Sequence, residues 1–102
     1  MKIGHEMTDE VVLEELGRRL AALRLARNLK QAELAVEAGV SKRTIERLEA
    51  GAVAAQLTGF IRVCRVLGLM ERFDLLVPEA LPGPMEQLQR GPFRTHEQAL
   101  LG

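Results

Sequence analysis

Residues 31–51 read QAELAVEAGVSKRTIERLEAG, and the order of residue types along this stretch decides the fold. Leu34, Ala35 and Ala38 fall on one side of a short helix spanning Gln31 to Ala38. Gly39 follows with the backbone freedom that a sharp turn demands. Ser41 offers a side-chain oxygen to the first unpaired N–H groups of another helix, Lys42 to Ala50, whose inward pair is Ile45 and Leu48. Gly51 sits where that helix ends. Ala35 is small where two helices must approach closely, and Val40, Ile45 and Leu48 plug the angle between them.

The flanks extend the same helical grammar. Thr8 followed by Asp9 and Glu10 marks a helix start, and Val12, Leu16, Leu20 and Leu23 recur as an apolar stripe, so a first helix is expected from Asp9 to about Arg27. Asn28 suits the left-handed position that terminates it. After Ala52 to Gln56, the residues Leu57, Phe60, Ile61, Cys64 and Leu67 form a further stripe that stops at Gly68, and a brief helix from Met70 to Leu76 precedes Pro78. Aromatic content is 3%, with no Trp or Tyr, and strand signals are nearly absent. The expected fold is therefore all-α: five helices within residues 8–77, an N-terminal arm at 1–7 and a C-terminal arm at 78–102. Pro82, Gly83, Pro84, Gly91 and Pro92 mark that second arm as linker-like, with one or two helical turns over Met85 to Arg90 whose Met85 and Leu88 dock on a partner, or disorder, as the two readings.

Charge and composition narrow the function. The chain of 102 residues balances 14 basic against 14 acidic side chains, yet 11 of the basic and only 5 of the acidic residues lie between Gly17 and Arg72. That block is the part suited to a polyanion. No stretch reads as a membrane span or secretory signal, and the single cysteine, Cys64, has no second thiol with which to form a disulfide or metal pair. A cytoplasmic protein is expected. Cys64 lies on an apolar stripe and reads as core rather than as a redox sensor. His5 and His96 stand near opposite ends, so no metal and no cofactor are expected. There is no GxxxxGK, HExxH or supported Ser–His–acid set, which points away from an enzyme.

Two short helices crossing about a glycine turn, the second apolar inside and polar outside, meet the requirements of a helix-turn-helix. The stretch closely resembles the Cro and lambda-repressor-like helix-turn-helix family, also called the XRE family, and the likeness extends more loosely from Asp9 to Leu76. With Ile45 and Leu48 facing inward, Lys42, Arg43, Thr44 and Arg47 point outward. The resemblance implies that this end of the helix enters the major groove of double-stranded DNA, with Arg43 and Arg47 as base readers and Lys42 and Thr44 meeting bases or phosphates. Ser41, at the helix start, belongs to the same DNA-facing group. It further implies that Gln31 holds a phosphate with its amide, and that Arg24 and Glu49 form a semi-buried structural ion pair.

The same likeness implies a transcriptional regulator, a repressor foremost, that binds a pseudo-palindromic operator as a homodimer. Its dimer contacts are expected from Leu75, Leu76, Val77 and Leu81. A second reading is the antitoxin of a toxin–antitoxin pair, because HipB-type antitoxins look like this domain plus a short tail; the tail would then hold a kinase-like toxin. A protein-interaction module that leaves Arg43 and Arg47 unused is the third. Three features depart from the family pattern. Lys30 stands where a serine or threonine usually caps the second helix, and the loop Ala52 to Gln56 lacks the basic residues often found there, so modest non-specific affinity is expected. Gly59 lies inside the fourth helix at a local cost of up to about 1 kcal/mol relative to alanine.

Overall fold

The computed structural model describes residues 1–52 and 54–81; the features expected further along, including the turns at Met85 to Arg90, their docking residues Met85 and Leu88, and His96, lie outside the described residues. Helix α1 spans Asp9–Ala26 and begins where Thr8 Oγ1 accepts from the Val11 N–H at 3.2 Å. Asp9 and Glu10 in its first turn complement the positive end of the helix dipole. It stops one residue short of the expected Arg27, which is its C-cap, and Asn28 follows with φ of 58°.

Helix α2, Gln31–Ala38, gets no side-chain oxygen from Lys30, whose ammonium has no lone pair to offer. Glu33 partly compensates by reaching back, its Oε1 accepting from the Lys30 N–H at 2.7 Å. Gly39 closes α2 with φ of 70° and swings the chain into helix α3, Lys42–Glu49. Ser41 Oγ accepts the Thr44 N–H at 3.1 Å, fixing the first turn of α3. Ala50, expected within this helix, is its C-cap. Helix α4 is Leu57–Val66 and helix α5 is Met70–Leu76. Among the described residues no helix is long and apolar enough to cross a membrane.

The core gathers Leu20 from α1, Leu34, Ala35 and Ala38 from α2, Ile45 and Leu48 from α3, and Val63, Cys64 and Leu67 from α4 and its end. Val40 in the turn and Phe60 and Phe73 pack against it, the two rings edge to face at 5.9 Å. Helix α3 is thus wedged between α1, α2 and α4, which leaves one of its faces free. Burial pushes the Cys64 thiol up to about 11, so it stays protonated at neutral pH.

Two apolar stripes sit differently from the sequence expectation. In α1 only Leu20 of the expected stripe joins the core, and Leu23 is 38% exposed. The helix instead buries Glu15 and, against α3, Gly17 and Arg24, because that contact needs a missing side chain and an ion-pair partner rather than bulk. A Cβ at Gly17 would stand 2.5 Å from the Glu49 carbonyl oxygen and 2.6 Å from that of Leu48. In α4, Leu57 points to solvent at 69% exposure, and the helix faces the core through Val63, Cys64 and the bare backbone of Gly59.

Candidate nucleic-acid interface

The free face of α3 presents Lys42, Arg43 and Glu46 to solvent. Lys42 Nζ lies 3.9 Å from Glu46 Oε2, a loose pair one turn apart on the exposed surface. Arg43 has no hydrogen-bond or ion-pair partner among the described residues and is exposed. Thr44 and Arg47 occupy a different sector: both are half-buried and turn toward the loop that follows α3. Thr44 Oγ1 sits 2.9 Å from Ser41 Oγ, and its methyl group faces Gly59, where a Cβ would come within 3.1 Å. The glycine inside α4 therefore lets α4 close on the start of α3. Arg47 Nη2 donates a long bond of 3.4 Å to the Ala54 carbonyl.

The other end of α3 is fastened by charge. Arg24 grips Glu49 through two N–H groups, Nε at 2.6 Å from Oε2 and Nη2 at 3.1 Å from Oε1. Its Nη1 donates to the Leu29 carbonyl at 2.8 Å, tying in the connection between α1 and α2. This fork geometry suits a guanidinium facing a carboxylate, and the two side chains are only 11% and 8% exposed. Gln31, expected to hold a duplex phosphate, also has an acceptor within the protein. Its Nε2 donates to Glu49 Oε1 at 2.9 Å, because that carboxylate keeps lone pairs beyond those Arg24 uses. One carboxylate thus joins α1, α2 and α3 and anchors the C-terminal end of α3 to the body.

A second charged knot braces the start of α1. Glu15, its side chain 3% exposed, accepts from Arg19 at 2.8 Å, contacts Arg18 and receives the terminal amine at 3.4 Å. Hydrogen bonds from Arg19 and then Arg18 hold its carboxyl down at about 2, against an ordinary value of 4.5.

Beside the first turns of α3 lies a cleft of about 290 Å³, lined by the turn residues Gly39 to Ser41, by Thr44 and Arg47, by Ala54 to Gln56, and by Thr58, Gly59 and Arg62 of α4. Arg62 Nη1 donates to the Gly39 carbonyl at 3.2 Å. Sequence reasoning passed over this arginine; its signal was a position one turn after Gly59, on the side of α4 that the glycine brings against α3. No group of three or more ligating side chains that could hold a metal occurs among the described residues.

The model of the helix-turn-helix domain family matches residues 15–75, from the second turn of α1 into α5. The chain belongs to this family. No curated protein matches it. A helix-turn-helix protein lays its second helix in the major groove while the first crosses the backbone, and in this chain's motif α3 is the second helix and α2 the first. The match, with the all-α architecture, makes the chain a DNA-binding protein of the regulatory kind.

Proposed function

We propose that this helix-turn-helix protein is a sequence-specific transcriptional regulator, foremost a repressor, which reads an operator half-site with the exposed face of α3. The observation that carries the reading is the exposure of Arg43 and Lys42 at the outer start of α3, with α3 held from behind by Ile45, Leu48 and the Glu49 joint. Arg43 has the reach and the forked donors that a guanine edge accepts. Lys42 offers a point charge to base or phosphate, and Ser41 with Thr44 supplies hydroxyls at the helix start. Arg47, half-buried beside the loop after α3 and 3.4 Å from the Ala54 carbonyl, is turned away from the exposed face, so in this reading it meets the DNA backbone and base reading falls to Arg43.

The chain acts by binding rather than by catalysis, and as a homodimer on a two-fold symmetric site whose half-sites lie about one duplex turn, roughly 34 Å, apart. Leu75, Leu76, Val77 and Leu81 are each at least 70% exposed, and Leu75 and Leu76 line an apolar depression between α4 and α5. This exposure of large apolar side chains at the end of the domain supports a second copy as its partner. Selection of bound duplexes from randomised DNA tests the reading: enrichment of a two-fold symmetric motif supports it. Recovery of no motif at low salt, or a monomeric mass by light scattering with and without the selected duplex, overturns the sequence-reading or the dimer part respectively.

A further inference from the structure

The cleft between α3 and α4 has a chemistry that the exposed face of α3 does not explain. Among its lining residues are two guanidiniums, Arg47 and Arg62, three hydroxyls, Ser41, Thr44 and Thr58, and no carboxylate. Each guanidinium rests on a backbone carbonyl at an opposite rim, Ala54 for Arg47 at 3.4 Å and Gly39 for Arg62 at 3.2 Å. These are neutral acceptors, so neither arginine has its charge met by an anion among the described residues. A concave, doubly cationic site edged with hydroxyl donors is complementary to a tetrahedral oxyanion. The loop Ala52 to Gln56 contributes no cation of its own. Arg62 reaches in from α4 instead, which the absence of a side chain at Gly59 permits by letting α4 lie against Thr44.

The geometry points to Arg62 as a phosphate-binding residue that, with Arg47, seats one duplex phosphate in this cleft beside the base-reading end of α3. The inference rests on the DNA-binding reading above and adds to it the source of the backbone affinity that the basic-poor loop leaves unsupplied. Binding exchanges each neutral carbonyl acceptor for a charge-assisted bond to phosphate oxygen. The contribution is independent of base sequence, so Arg62 adds affinity to every duplex and discrimination to none.

The test compares Arg62→Ala and Arg62→Lys with wild type on two probes, a duplex enriched by wild type from a randomised pool and a duplex of scrambled sequence, across a salt series. Arg62→Ala is expected to weaken both roughly five- to twentyfold at 0.1 M salt and to lower the slope of log affinity against log salt by about 0.9. Arg62→Lys keeps the charge and restores the slope. Thermal unfolding separates a folding defect, since a residue that merely braces the Gly39 turn would lower the midpoint and leave the slope of the bound fraction unchanged. An unchanged slope in Arg62→Ala overturns the inference, as does loss confined to the enriched duplex. Tight binding of inorganic phosphate or a mononucleotide to the free protein, lost in Arg62→Ala without any change on duplex, also overturns it by assigning the cleft to a small phosphate ligand. Failure of wild type to bind either duplex sinks the underlying DNA reading as well, a result distinct from an unaltered variant slope.

Discussion

Replacing Glu49 with alanine removes one carboxylate and strands three donors that now converge on it. Arg24 loses both forked bonds and Gln31 loses its carboxylate acceptor, while the Arg24 guanidinium remains beneath a nearly closed surface. Breaking a fully buried pair costs about 3–5 kcal/mol, chiefly the desolvation of the charge left behind. Here the side chains keep roughly a tenth of their surface and Arg24 keeps the Leu29 carbonyl, so a loss of about 2–4 kcal/mol is expected. In a domain of this size one kcal/mol moves the thermal midpoint by about 4–8 °C, which makes the drop at least about 8 °C by circular dichroism. Replacing both partners with apolar residues, Arg24→Met with Glu49→Leu, is expected to recover most of the loss, because no charge then remains buried. A Glu49→Ala protein within about 0.5 kcal/mol of wild type would refute the reasoning, since that is the scale of an exposed pair. So would a double variant no more stable than Glu49→Ala.

Gly17→Ala gains up to about 1 kcal/mol in helix propensity but drives a methyl into the α3 backbone, so it is expected to destabilise the domain by about 2 kcal/mol in urea unfolding. A neutral or stabilising effect would contradict the close approach of α1 and α3. For Glu15, the lowered folded-state value of about 2 means its contribution is complete above about pH 4.5 and fades as pH falls toward 2. Thermal midpoints of Glu15→Gln should therefore converge on those of wild type across that window, and parallel curves from pH 7 to 2.5 would count against the Arg19 and Arg18 contacts.

The punctuation of the fold was legible because each stop and start is a local backbone requirement. Thr8 and Ser41 supply oxygens to the ends of helices, and Asn28, Gly39, Gly51 and Gly68 all adopt positive φ. The inner pair Ile45 and Leu48 was equally legible, since α3 is short and its apolar residues fall on one side only. Helix α1 was harder, for leucines occur around much of its circumference and periodicity cannot choose among them. What chooses is the neighbour: the backbone of α3 presses on Gly17, and Glu49 claims Arg24, so the buried face centres on Gly17, Leu20 and Arg24. That information resides in the partner helix, whose Glu49 lies 25 residues beyond Arg24 in the chain. The contact of Gln31 with Glu49 was not legible for a related reason, as an amide at a helix start serves a phosphate or a nearby carboxylate equally well, and the folded position of Glu49 supplies the second. Arg62 went unseen because its place in the cleft depends on how closely α4 meets α3 at Gly59.

Arg43 offers the most direct trial of the account. On a duplex that wild type selects, and on the same duplex with a single guanine in the half-site changed in turn, the ratio of affinities at fixed salt measures base reading alone. Wild type should discriminate by about 1–3 kcal/mol at one such position, and Arg43→Ala should lose that discrimination while staying folded. A variant that keeps the full wild-type ratio at every guanine would contradict the claim that the exposed face of α3 reads sequence.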